Sequence, residues 1–222
     1  MKRKMTKKRI ICFGDSNTWG YDPVKRERYD ENTRWPMRMQ QILGEAYQVI
    51  EEGQNGRTIS CEDPWEWGNK KGMDYVLPMA ESHTPFDILI IMLGSNELKK
   101  KFHLPAGDIA GGLQNMLMVL KGFLEYQCHQ PDTKILIVSP VHVGESIETS
   151  PFAEFFEGRA TVENSKRMAY WYKLVAEQFS CDFFDAALVT EPGEADSIHL
   201  TAEGHLKLAA ALAEKVREMA ED

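Results

Sequence analysis

The sequence lacks any apolar run near the ~18–20 residues that cross a bilayer as a helix. Its longest, Ile88–Leu93, has the length of a buried strand. Cysteine is sparse, and Cys12, Cys61, Cys128 and Cys181 lie far apart with no C-x-x-C pair. Neither His nor Cys spacing offers a zinc cluster, so four reduced thiols, two of them in strands, no metal and a cytoplasmic location are expected. Positive charge is in deficit, with 26 Lys and Arg against 34 Asp and Glu and a formal net charge of −8. Phosphate backbones want clustered cations, so nucleic acid is not the expected partner, and neither is a membrane. Six of the first nine residues are nonetheless basic (Lys2, Arg3, Lys4, Lys7, Lys8 and Arg9). Only Ile10–Phe13 follows before Gly14, short of the roughly 7–15 apolar residues of a signal-peptide core, so 1–8 reads as a basic lead-in to a first strand. No G-x-x-x-x-G-K-[ST] and no G-x-S-x-G occurs, which argues against a phosphate loop and against the nucleophile elbow of α/β-hydrolases. Repeats, low-complexity tracts and long Pro/Gly/Ser linkers are missing too, and 1–222 is expected to form a single domain.

What is present, 43% hydrophobic and 27% charged residues, suits an ordinary globular chain. Short runs rich in Ile, Val, Leu and Phe at Arg9–Phe13, Gln48–Ile50, Asp87–Leu93, Lys134–Ser139 and Cys181–Phe184 fit strands buried on both faces. Between them, Ile109, Leu113, Met116, Leu117, Leu120 and Leu124 recur at helical spacing, as do Met168, Trp171, Val175 and Phe179. A last helix carries Leu206, Ala209, Leu212, Ala213 and Val216 with Thr201 as N-cap, and weaker helices span Trp35–Leu43 and Met73–Glu81. About five strand–helix alternations predict α/β architecture: a doubly wound three-layer α/β/α sandwich on a five-stranded parallel sheet. Two segments, 61–72 and 143–162, read as decorations after strand ends. Their Trp65, Trp67, Phe152, Phe155 and Phe156 fit a pocket mouth, a subunit contact or plain loop packing equally well.

The first strand runs into Gly14-Asp15-Ser16-Asn17-Thr18-Trp19-Gly20. A serine just past a buried strand presents its hydroxyl at the sheet's carboxyl edge, where a nucleophile needs a base and oxyanion donors; a plain βα turn has the same composition. Among six histidines, His199 in Asp196-Ser197-Ile198-His199 has a carboxylate three residues upstream, able to fix its tautomer. His205 is the rival, inside a helix without a suitable acid, and His83, His103, His129 and His142 show no matching Asp or Glu. Gly53 and Asn96 follow the second and third strands, and each is also an ordinary turn residue. If those strands neighbour the first, Ser16, Gly53, Asn96 and His199 converge on one crevice.

Gly14-Asp15-Ser16-Asn17, Gly53, Gly94-Ser95-Asn96-Glu97 and Asp196-Ser197-Ile198-His199, in this order, resemble the four blocks of the SGNH hydrolases, or GDSL esterase/lipase family. Phe13–Gly20, Glu51-Glu52-Gly53 and Ile90–Gly94 look more narrowly like its arylesterase/acyltransferase branch. The resemblance implies a flavodoxin-like fold and a serine esterase for short, acetyl-type esters. It needs no cofactor, has a small-molecule ester as partner, and acts as a carbohydrate acetylesterase or an arylesterase with acyl-transfer ability. Members often form homo-oligomers, which leaves the oligomeric state open. Ser16 would be the nucleophile, His199 the base, Asp196 the orienting acid, and Ser16, Gly53 and Asn96 the oxyanion hole; Asn17, Trp19, Asn55 and Ile198 flank these positions as substrate-side candidates. Asn17 stands where the family motif has Leu. Ser95-Asn96-Glu97 replaces the branch's Thr-Asn-Asp, which puts the local turn and pocket wall in question. Alternatives are a thioesterase or lysophospholipase of the same chemistry, a silent carbohydrate-binding protein on this fold, and a flavodoxin-like nucleotide binder.

Overall fold

The computed structural model describes residues 7–221; Lys2, Arg3 and Lys4 of the basic lead-in lie outside them. Five strands form the main sheet: β1 (Lys8–Gly14), β4 (Tyr47–Gly53), β5 (Ile88–Met92), β6 (Lys134–Ser139) and β7 (Asp182–Asp185). They run parallel in the order β4-β1-β5-β6-β7. A small antiparallel hairpin of β2 (Tyr21–Asp22) and β3 (Glu27–Arg28) follows β1, and sequence periodicity is blind to elements this short. The helices are α1 (Ser16–Trp19), α2 (Trp35–Leu43), α3 (Gly72–His83), α4 (Ala106–Tyr126), α5 (Arg159–Gln178) and α6 (Ala202–Glu221).

The period-two alternation of the strands divides the core. Ile11, Phe13, Leu89, Ile91, Ile135 and Ile137 point to one face, where they pack on Val76 and Met79 of α3, Leu113 and Leu117 of α4 and Met168 and Val175 of α5. Ile10, Cys12, Ile88, Ile90, Leu136 and Val138 point to the other, against Trp35 and Met39 of α2 and Leu208, Leu212 and Val216 of α6. The expected three-layer α/β/α sandwich on a five-stranded parallel sheet is thus the observed fold. The chain leaves β1 toward the α2 layer and β5 toward the α4 layer, so the loops after these two adjacent strands diverge and open a crevice at their carboxyl ends.

Boundaries moved by a few residues, as terminal hydrogen bonding shifts them. Gln48–Ile50 extends to the whole of β4, and Cys181 lies just outside β7 rather than in a strand. None of the described helices is long and apolar enough to cross a membrane. Thr201 Oγ1 accepts the Gly204 N–H at 3.1 Å, closing the first turn of α6. Because that helix buries an entire face, Thr201→Ala should cost about 1 kcal/mol of stability, seen as a lower urea midpoint at unchanged m-value.

Candidate active site

Register places the strand ends side by side: Gly14 stands opposite Gly53 on β4 and Met92 on β5. Ser16 therefore opens α1 directly above β1, with Asp15 capping it by accepting the Asn17 N–H at 3.0 Å. Asn96 begins a short 3-10 turn after β5. His199 arrives from the loop before α6, 183 residues from Ser16, and its Nε2 lies 2.8 Å from Ser16 Oγ. His199 Nδ1 lies 2.5 Å from Asp196 Oδ2. Asp196 Oδ1 accepts the backbone N–H groups of Ile198 and His199 at 3.0 and 2.9 Å, so one oxygen shapes the turn while the other meets the imidazole. Burial opposes ionisation of Asp196, but the hydrogen bond and charge of His199 and these two N–H groups outweigh it and hold the carboxyl below 3.8. With a proton on Nδ1 donated to Asp196, Nε2 is free to accept from the serine hydroxyl.

Ser16, Asn96 and His199 face a cavity of about 360 Å³, shared with Tyr21, Asn55, Gly56, Lys70, Ile198 and aromatic side chains of both decorating loops, Trp67, Phe152, Phe155 and Phe156. The His199 ring neighbours those of Tyr21 (centroids 4.5 Å apart) and Phe152 (6.0 Å). Tyr21 sits on the unforeseen hairpin, and no sequence signal marked it. The 143–162 loop is fastened to the histidine loop, since Gly144 N–H donates to Ser197 O at 2.7 Å and the Ser146 and Ser197 hydroxyls lie 2.7 Å apart. The 61–72 loop is held by buried Asp63, which meets Lys101 at 2.5 Å. A larger groove of about 640 Å³ between the segment after β5 and the start of α5 contains neither Ser16 nor His199.

Three expected site residues are placed elsewhere. Gly53 does not line the cavity: it ends β4 beneath α1, where a Cβ would come within 2.2 Å of Trp19 N. The glycine that does line it is Gly56, third residue of a turn closed by Arg57 N–H to Gln54 O at 3.1 Å. Its φ of +78° is what that turn position requires. Among the described residues the Gly56 N–H has no protein acceptor. Asn17 is also absent from the cavity wall. Its amide donates to Ile198 O at 3.3 Å and accepts Leu200 N–H at 2.9 Å, stitching the serine segment to the histidine loop. Trp19 instead lies under the Arg28 guanidinium, 5.2 Å from its ring centroid. Asn55 and Ile198 do line the cavity.

Asn96 Nδ2 donates to Arg57 O at 3.0 Å, which aims the amide and leaves its second N–H unused. Glu97 points inward rather than into the pocket wall, its Oε1 accepting the N–H groups of Ile59 and Ser60 while Oε2 is buried without a partner. Burial pushes its carboxyl up from 4.5 to about 7 despite those bonds, with nearby Asp15 adding repulsion. Asp15 is likewise pushed up to about 6 by burial, against the Asn17 N–H, His199, Ser95 and Arg57. His205 is buried in the α2–α6 layer, where its Nδ1 accepts the Trp35 N–H at 3.3 Å. Burial, then His199, drives it down to about 3, so it is a neutral acceptor for α2. His83, read as lacking an acid, meets Glu52 at 2.7 Å, a partner 31 residues away that local inspection could not reveal. Exposed His103 likewise has Glu157 at 3.6 Å.

The model of the GDSL-like lipase/acylhydrolase family matches residues 12–207. No curated protein matches the sequence. Among solved structures, Est24, a carbohydrate acetylesterase from Sinorhizobium meliloti, is 34% identical with a TM-score of 0.84, over 96% of this chain and 100% of its own. The aryl esterase of M. smegmatis is 35% identical with a TM-score of 0.84, over 95% of this chain and 99% of its own.

Two measurements probe the foundations of the site. Gly53→Ala should cost about 1–3 kcal/mol, as overpacking does, in urea melts. Glu97 has a folded pKa above its unfolded one, so its stabilising effect is complete below pH 4.5 and is lost as pH rises toward about 7. The stability of wild type relative to Glu97→Gln should therefore fall by up to about 3 kcal/mol across that window; a pH-independent difference would contradict this.

Proposed function

The chain belongs to the GDSL-like lipase/acylhydrolase family and is a carboxylic ester hydrolase, and on that premise we propose that Ser16, His199 and Asp196 hydrolyse short-chain esters through an acyl-enzyme. The observation that carries the reading is the unbroken relay at the cavity floor, 2.8 Å from Ser16 Oγ to His199 Nε2 and 2.5 Å from His199 Nδ1 to Asp196 Oδ2. Ser16 Oγ attacks the ester carbonyl carbon as Nε2 takes its proton. The tetrahedral oxyanion is received by the N–H groups of Ser16 and Gly56 and the free N–H of Asn96, with Gly56 taking the place expected of Gly53. Collapse breaks the bond to the alkoxy oxygen, which leaves with the proton from Nε2. A water then adds to the acyl carbon, giving its proton to the same nitrogen; the bond from that carbon to Ser16 Oγ breaks, the carboxylic acid leaves, and Oγ takes the proton back from Nε2. The Asp196 carboxylate, held ionised, stabilises the imidazolium in both halves.

The walls favour a short acyl group with an aromatic or sugar alcohol. Phe152, Phe156, Tyr21 and Ile198 line the cavity with the serine, Tyr21 and Phe152 beside the His199 ring, while Trp67, 94% exposed, offers a flat face. Acetyl esters of carbohydrates or of phenols fit this shape, in keeping with the names of the solved relatives. The free cysteines among the described residues suit a reducing, cytoplasmic compartment.

Ser16→Ala should abolish both p-nitrophenyl acetate hydrolysis and covalent labelling by a fluorophosphonate, read by intact mass; labelling that survives would defeat the assignment. Asn96→Ala should lose roughly 10²–10³ in kcat with little change in KM, the usual cost of one oxyanion donor.

A further inference from the structure

Arg57 is 3% exposed, yet among the described residues no carboxylate lies within ion-pair distance of its guanidinium. A buried cation is ordinarily paired or neutralised, because desolvation is costly. Here three of the five guanidinium N–H groups go to neutral oxygens. Nη1 donates to Gly14 O at 2.9 Å and to Glu52 O, and Nε donates to Gln54 Oε1 at 3.2 Å. The plane also lies over the Phe13 ring, 4.3 Å from its centroid. Burial lowers the guanidinium pKa to about 10, with Glu52, Tyr75 and Asp15 opposing the shift, so the group stays charged at neutral pH.

The placement of those contacts is what gives the cation a use. Gly14 is the last residue of β1 and Glu52 the last but one of β4, and Arg57 is the last residue of the turn that exposes the Gly56 N–H. The same residue's carbonyl accepts Asn96 Nδ2 at 3.0 Å and so aims that amide. Two of the three donors proposed for the oxyanion hang from one residue whose side chain is bolted to the sheet edge. We infer that Arg57 is a positioning residue of the oxyanion hole: its guanidinium fixes the 54–57 turn against β1 and β4, and with it the Gly56 N–H and the Asn96 amide. The inference rests on the esterase reading above. It assigns to Arg57 the work of sharpening the transition state rather than of binding the ester.

The test uses wild type, Arg57→Met and Arg57→Lys, each alone and combined with Asn96→Ala, with p-nitrophenyl acetate as substrate. Phenylboronic acid, which forms a tetrahedral anionic adduct on a serine, reads oxyanion affinity directly. Arg57→Met should lower kcat by about 10- to 100-fold with KM within about 3-fold, and weaken the boronate in parallel, below the full effect of deleting a donor. Arg57→Lys keeps the charge but loses the rigid plane that reaches two carbonyls through Nη1 and Gln54 through Nε at once, so its kcat should fall between the two and at least about 3-fold below wild type. Because Arg57 acts partly through Asn96, its substitution should cost less in the Asn96→Ala background. Unchanged kcat in Arg57→Lys, or equal losses with and without Asn96, overturns the inference; the Lys variant decides the matter if the Met variant does not fold. Failure of Ser16-dependent fluorophosphonate labelling in wild type would instead count against the esterase reading.

Discussion

The alignment of three strand ends is the constraint on which the site depends. Gly14 lies level with Gly53 on one side and Met92 on the other, so the loops carrying Ser16, Gly56 and Asn96 start from one edge. A slip of one residue in a strand buried on both faces would exchange its two sets of side chains between layers. Phe13 and Ile11 would trade places with Cys12 and Ile10, and neither helical layer would accept the other's volumes. The hydrophobic core therefore enforces the register, and the register sets the spacing of the polar groups above it. Long-range stitching then completes what the sheet cannot reach. Asn17 ties the serine segment to Ile198 and Leu200, and Gly144 and Ser146 tie the 143–162 loop to Ser197.

Beneath the cavity the protein tolerates an unusual amount of buried charge. Asp15, Arg57, Glu97 and Asp196 are all nearly inaccessible. Their environments push them in different directions: Asp15 and Glu97 toward the neutral acid, Asp196 toward the carboxylate. The difference comes from partners. Asp196 receives two backbone N–H groups and an imidazole, whereas one oxygen of Glu97 has none. Burial and partners thus set different titrations for carboxyl groups that lie under one cavity. The raised acids brace the backbone of the serine and asparagine loops, and their hydrogen bonds offset part of the desolvation they suffer.

The loops give the cavity its character. The 61–72 and 143–162 segments, which composition alone left between pocket wall, subunit contact and surface packing, both reach the cavity lining, the first with Trp67 and the second with Phe152, Phe155 and Phe156. Trp65 is the exception, 76% exposed and outside that lining, beside Lys101 instead. The aromatic walls exclude water from around the imidazole, which strengthens the electrostatics of the relay.

Much of the molecule was legible in its sequence because the relevant signals are local. Buried strands announce themselves as runs of Ile, Leu and Val, helices by their apolar spacing, and the Asp196-x-x-His199 pair works through a turn four residues long. These patterns determined the α/β class, the layer order and the candidates Ser16, Asn96, Asp196 and His199. What the sequence could not decide were relations set by distance in space. Gly53 and Gly56 look equally suitable as strand-end glycines. Only packing beneath α1, with no room for a Cβ at Gly53, and the turn geometry at Gly56 distinguish them. The Glu52–His83 pair, the bonding of the Arg57 guanidinium to neutral oxygens and the bracing role of Asn17 likewise exist only once remote segments meet. Sequence determined which residues could do chemistry. Tertiary structure decided which of them face one another, because hydrogen bonds and charges act over a few ångströms while the residues that make them lie tens to hundreds of positions apart.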